Sequence, residues 1–229
     1  MRMVSVDRPS ALERAVEQLE LEPPIPALVV AGGAGGVGEA ALDRLRPLID
    51  DLAAVAERVG ATVVDGGTDA GIPKLLGEAR ARGRSFALVG VVVSSLVARP
   101  GVAPLGEQSA LEPNHSHVLL VPGTSWGDEV PWLAGLAAVL AGDAPSLTAL
   151  VDGGEITYAD AAASVTAGRQ VLAIAGSGRT AEALAAAVRG EPSEEPARAL
   201  AASGLVHAID LREDSVEVIE RILAGKAEP

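Results

Sequence analysis

Ala27-Leu-Val-Val-Ala31 runs directly into Gly32-Gly-Ala-Gly-Gly-Val-Gly38, and behind it Leu42, Leu45, Leu48, Leu52, Val55 and Val59 recur three or four residues apart. A short apolar run closed by glycines is a buried strand, and the wider spacing is one face of a helix. The stretch reads strand, tight turn, helix. Further strand-like runs stand at Ala61-Thr-Val-Val-Asp65, Phe86 to Val92, His117-Val-Leu-Leu-Val121, Leu147-Thr-Ala-Leu-Val-Asp152, Gln170 to Ala175 and Leu205 to Ile209, most of them separated by helical patterns. Such alternation predicts an α/β, Rossmann-like domain: a doubly wound, mostly parallel sheet of about seven strands with helices on both faces.

Composition agrees with that architecture. Hydrophobic residues make up 48% of the 229 but aromatic ones only 2%, so the core is built from Val, Leu, Ile and Ala, as parallel strands buried on both faces require. A formal net charge of -13 with no large Lys/Arg cluster argues against nucleic acid as a partner. The chain has no cysteine, which excludes disulfides, thiolate metal sites and a cysteine nucleophile. Met1 to Asp7 lacks the features of a signal peptide, and the longest apolar runs are too short to cross a bilayer. A cytoplasmic protein with no membrane partner is expected.

Residues 1–24 read as a helical lead-in, because Ser10-Ala-Leu-Glu13 has the capping-box spacing and Leu12, Val16 and Leu19 follow at helical intervals before Pro23, Pro24 and Pro26. Residues 25–226 read as the single nucleotide-binding domain. Pro47 marks either a kink or the first turn of a second helix. Asp214-Ser-Val-Glu217, with Val218, Ile219 and Ile222 behind it and Gly225 as a C-terminal cap, predicts a closing helix. Ser94 to Ser116 has no period and carries Pro100, Gly101, Pro104 and Pro113; long irregular loops in compact domains are often functional.

In open α/β sheets ligands bind beyond the carboxyl ends of the strands, where loops lead into helix N-termini. Four such loops are small and polar here. The first contains Gly33, Gly35 and Gly38 in the G-x-G-x-x-G spacing, and the others are Asp65-Gly-Gly-Thr-Asp-Ala-Gly71, Val121-Pro-Gly-Thr-Ser-Trp-Gly-Asp-Glu129 and Gly176-Ser-Gly-Arg179. Together they predict a cradle for phosphate and ribose. An NAD-dependent oxidoreductase would use the first loop with Asp65, but no Tyr-x-x-x-Lys pair or similar hydride-transfer partner accompanies it.

This constellation, with Glu112-Pro-Asn-His115, resembles the SLOG superfamily, which joins the "lonely guy" phosphoribohydrolases, the DNA-processing protein family and the N-terminal region of TRPM channels. The prokaryotic proteins resembling that TRPM region are the nearest likeness, from about Ala27 to Ala187. The resemblance implies binding of a small-molecule nucleotide such as ADP-ribose or another NAD-derived ligand, with no cofactor required. Ligand contacts are expected from Gly33, Gly35, Gly36, Gly66, Gly67, Thr68, Asp69 and Gly71, and from Asn114 and His115 by hydrogen bonding. Pro122, Gly123, Thr124, Ser125, Trp126, Gly127 and Glu129, then Gly176, Ser177, Gly178 and Arg179, complete the expected site. The family likeness and the apolar N-terminal helix also point to a homodimer.

The phosphoribohydrolases carry P-G-G-x-G-T-x-x-E, whose Glu assists N-glycosidic cleavage of a nucleoside 5'-monophosphate. Here Pro122 and Glu129 lie seven apart, Thr124 and Trp126 replace two glycines, and Arg99 alone stands where those enzymes have an Arg-Lys pair. Binding and sensing is therefore the first reading, with hydrolysis through a catalytic Glu129 as the alternative. Several residues keep two readings each. Glu129 is an acid/base group or a complement to a helix N-terminus; Asp65 and Asp69 bind ribose or stabilise a turn; Trp126 stacks on a base or packs under its loop. Arg179 pairs with a phosphate, and Lys74 contributes there or is a solvated face. His115 and His117 have only Glu112 as a third candidate ligand, and no metal site is expected.

Overall fold

The computed structural model describes residues 1–211 and 213–226, apart from the side chains of Glu213 and Asp214. The strands are β1 (Arg2–Ser5), β2 (Ala27–Gly32), β3 (Thr62–Asp65), β4 (Leu88–Val93), β5 (Val97–Ala98), β6 (Ser109–Ala110), β7 (His117–Val121), β8 (Ser146–Val151), β9 (Gln170–Ala175) and β10 (Val206–Asp210). Eight of them form one sheet in the order β1-β7-β4-β3-β2-β8-β9-β10, every neighbouring pair parallel. From β2 the chain steps outward through β3, β4 and β7, then crosses back to place β8, β9 and β10 on the other side. The order reverses between β2 and β8, which makes their carboxyl ends the topological switch point.

Alternation along each strand feeds two cores. Val29 and Ala31 pack with Leu133, Leu136, Ala161, Ala181, Leu184 and Ala197 from α4 (Val130–Ala141), α5 (Glu155–Thr166), α6 (Arg179–Val188) and α7 (Glu195–Ala201), joined by α1 (Leu12–Gln18). Leu28 and Val30 pack on the opposite face with Leu45, Leu52, Leu76 and Ile219 from α2 (Glu39–Val59), α3 (Gly71–Ala81) and α8 (Glu213–Leu223). Small and branched aliphatics let both helical layers close on the sheet, and truncating a fully buried leucine such as Leu52 would cost about 2–5 kcal/mol.

The seven strands read from the sequence are present, and β1 is an eighth. Its four residues are only half-buried or exposed and lie within the expected helical lead-in, so no apolar run announced them. The Ser10 capping box does not form: Pro9–Ala11 is a turn of 3-10 helix, and α1 starts behind Ala11 without a side-chain cap. Pro47 lies inside one continuous helix, α2. Within the irregular stretch, β5 and β6 pair in parallel, apart from the main sheet. The Asp214 side chain, expected to cap α8, lies outside the described residues. No helix among the described residues is long and apolar enough to cross a membrane.

Candidate functional site

Because all main-sheet strands are parallel, the loops after β2, β3, β7, β8 and β9 emerge at one edge. A cavity of about 540 Å³ opens there, lined by Gly33, Gly35, Gly66, Thr68, Trp126, Glu129 and Arg179 among the residues expected from sequence. It is also lined by Ala34, Ala70, Pro73 and Ser109, and by Gly154, Glu155, Ile156, Thr157 and Asp160 from the start of α5. The α5 contribution was not anticipated. Leu147 to Asp152 had been read only as a strand, yet β8 borders the switch point.

The first glycine loop leaves backbone donors free. Gly36 takes a left-handed conformation at φ +73°, and a side chain on Gly33 would run into the Arg179 guanidinium. The backbone N-H groups of Ala34, Gly35 and Gly36 meet no acceptor among the described residues, and a Cβ at Gly35 would face open space. Consecutive free amides in a turn are the kind of group from which anion-binding nests are built. Gly71 does not line the cavity but is required by contact: it sits at φ +56° against the Gly33 carbonyl, which also accepts from the Ile72 N-H at 3.0 Å.

Arg179 is held in place before any ligand arrives. Its Nε donates to Asp152 Oδ1 at 3.0 Å and its Nη2 to Oδ2 at 2.7 Å, and both residues have positive φ (+31° and +59°). The Asp152 side chain is only 7% exposed, whereas the Arg side chain is 42% exposed. Nη1 remains beside the positions of Gly36 and Gly154. Gly178 is small because a Cβ would approach Asp152 Oδ1 to 2.6 Å. Ser177 turns inward: its Oγ donates to the Ile174 carbonyl and accepts from the Asp152 N-H. The Gly176 N-H donates to Glu182 Oε2, so neither residue lines the cavity.

The loop after β7 divides its roles. Asp128 Oδ2 accepts from the N-H groups of Thr124 and Ser125 at 2.8 and 3.0 Å, and these bonds lower the Asp128 carboxyl below its ordinary range. Thr124 and Ser125 thereby commit their amides to the turn, and with Pro122, Gly123 and Gly127 they stay off the cavity wall. Trp126 and Ile156, 38% and 39% exposed, present apolar surface at that wall. Glu129 accepts from the Gly127 N-H at 2.9 Å; burial, and then the charge of Asp128, outweigh that bond and raise its carboxyl. Asp160 is pushed up to about 7 by burial and by neighbouring Glu129.

Asn114 and His115, expected at the ligand, do not line the cavity. His115 is buried with Nε2 at 2.8 Å from Asp65 Oδ1 and Nδ1 at 2.8 Å from Glu112 Oε2. Asn114 binds the same Glu112 carboxylate through its backbone N-H and its side-chain Nδ2. Burial opposes the imidazolium, but Asp65 and Glu112 outweigh it and raise His115 to about 9. Burial likewise opposes the Glu112 carboxylate, yet His115 and Asn114 hold it below its ordinary range. Asp65 Oδ1 also accepts from the Gly67 N-H at 2.8 Å, so this acid organises the turn. Asp69 faces Lys74 at 3.7 Å and, like Gly36 and Gly67, is not on the cavity wall. No group of three or more His, Asp or Glu side chains among the described residues is arranged to hold a metal ion.

Comparison with known proteins places this geometry. The family described as "SLOG in TRPM, prokaryote" matches residues 25–220. No curated protein matches the sequence significantly. Among solved structures, the X-ray structure of the structural-genomics target TM1055 superposes with a TM-score of 0.60 at 18% identity, covering 86% of this chain and 100% of the other. That likeness concerns the fold.

Proposed function

The chain belongs to the prokaryotic family of SLOG domains in TRPM, and from that premise we propose that its sheet-edge cavity binds a phosphorylated nucleotide of the ADP-ribose or NAD-derived class as a sensing module. The observation that carries the reading is the run of free amides, Ala34 and Gly35 on the cavity wall and Gly36 next to them, beside the Arg179 guanidinium. Backbone amides and the N-terminus of α5 supply partial positive charge, and Nη1 of Arg179, the guanidinium nitrogen not bonded to Asp152, adds a charge-assisted donor. In a chain of net charge -13 such local groups are what an anion needs. Trp126 and Ile156 supply an apolar surface suited to a base.

Calorimetric titration of ADP-ribose, AMP and NAD into wild type and Arg179→Ala tests the reading. The loss of a charge-assisted hydrogen bond, about 1.5 to 3 kcal/mol, should weaken binding roughly ten- to a hundredfold. Affinity is the proper readout, because Arg179→Ala also strips the partner from buried Asp152 and lowers the melting temperature of the free protein. Equal affinities in both proteins would remove Arg179 from the site. No binding by any of the three would reject the reading.

One observation favours hydrolysis of a nucleoside 5'-monophosphate as a second reading: Glu129 lines the cavity with its carboxyl raised, as a proton donor to a leaving base requires. Chromatography of AMP incubated with the protein decides it. Repeated release of free adenine, lost in Glu129→Gln, would establish an enzyme.

A further inference from the structure

Glu129 and Leu133 lie one turn apart at the start of α4, and Ile156 and Asp160 one turn apart on α5; all four line the same cavity. Two acids and two aliphatics thus meet from neighbouring helices. Among the described residues no hydrogen bond or ion pair engages Asp160, and the Glu129 carboxylate accepts only from the Gly127 N-H and its own. A third group points independently to a ligand. Thr68, on the loop after β3, is 3% exposed and lines the same cavity, yet its buried hydroxyl has no hydrogen-bond partner among the described residues.

We infer that Asp160 is a specificity-determining residue that, together with Glu129, recognises a vicinal diol on the sugar of the bound nucleotide. The inference rests on the nucleotide reading above and assigns the part of the ligand between phosphate and base. Each hydroxyl of a diol both donates and accepts, and its natural counterpart is a carboxyl pair holding one proton, which offers one donor and several acceptors. Asp160, at about 7, supplies that shared proton near neutrality. A phosphorylated ligand in the same cavity reinforces this state, because its negative charge favours protonated acids. A cationic group would instead have to displace the proton while lying near Arg179.

The experiment compares AMP with 2'-deoxy-AMP by calorimetry on wild type, Asp160→Asn and Asp160→Ala, with circular dichroism confirming that each variant is folded. Wild type should prefer AMP by roughly tenfold, the worth of one charge-assisted hydrogen bond left unmade. Asp160→Ala should erase the preference by weakening AMP while leaving 2'-deoxy-AMP nearly unchanged. Asp160→Asn, which keeps the shape and one acceptor oxygen, should retain part of it. An equal preference in wild type and Asp160→Ala would overturn the inference while leaving nucleotide binding intact. So would AMP binding that needs added magnesium ion and loses that need in Asp160→Asn, since the pair would then serve a cation. Absence of binding by any nucleotide, ADP-ribose included, would overturn the nucleotide reading itself and this inference with it.

Discussion

Two pairs of acids stand near the same edge of the sheet, and they have opposite surroundings. Asp65 and Glu112 close on His115 with side chains at most 2% exposed, and both imidazole nitrogens are engaged. Glu129 and Asp160 face a cavity with no cation between them. A buried acid with an internal cation becomes a fastener, whereas an acid without one is shifted toward its protonated form and keeps its capacity to bond. The first pair serves the second indirectly. It ties the segment carrying Glu112 to the loop after β3, where the Glu112 N-H donates to the Gly67 carbonyl at 3.0 Å and the Asp69 N-H to the Ala110 carbonyl at 2.9 Å. Those ties position Thr68 and Ser109, which are cavity walls.

The contrast is broken most directly by His115→Ala. It leaves two facing carboxylates buried without their cation, and urea unfolding near neutral pH should show a loss of about 3 to 5 kcal/mol. A loss under about 1 kcal/mol would mean that the cluster is not the fastener described.

A pH series sharpens the same point in the wild type. His115 titrates at about 9 in the folded state against 6.5 for the free side chain, so the folded protein binds the proton more tightly. The resulting stabilisation is complete below 6.5 and disappears as pH rises through 9, and His115→Ala should lack this decline. The smallest effect belongs to the other pair. Asp160 is raised from 3.8 to about 7, so its burial leaves stability untouched below 3.8 and erodes it as pH climbs from there to 7, where the loss is complete. Thermal unfolding of Asp160→Asn should match wild type near pH 4 and exceed it near pH 8 by on the order of 1 kcal/mol. A variant less stable than wild type at the higher pH would show that Asp160 has an internal partner after all.

Much of the fold was legible because buried parallel strands announce themselves. Leu88–Val93 is fully buried, and its sequence is an unbroken apolar run apart from Gly90, which touches Gly67. The glycine loops were legible for the same reason, as punctuation after such runs. What escaped notice depends on contacts that the chain order hides. His115 finds Asp65 fifty residues away, and nothing local distinguishes a buried imidazolium from one facing a ligand. Asp152 looked like the last residue of a strand, and its role is set by Arg179, 27 residues on. Asp160 stands on a helix that no sequence motif marks. Its one-turn spacing from Ile156 was the available signal, and it gained meaning only when α4 supplied Glu129 across the cavity.

The pairing of β1 sets an order on how the molecule is made. Arg2–Ser5 registers with His117–Leu120, so the earliest strand in the chain has no neighbour until more than a hundred further residues have been synthesised. The strand from Ala27 can meet its partner at Thr62 far sooner. Contacts so distant along the chain are slow to close, and a growing polypeptide holds them open longest. Arg2–Ser5 can therefore be seated in the sheet only after His117–Leu120 has been made.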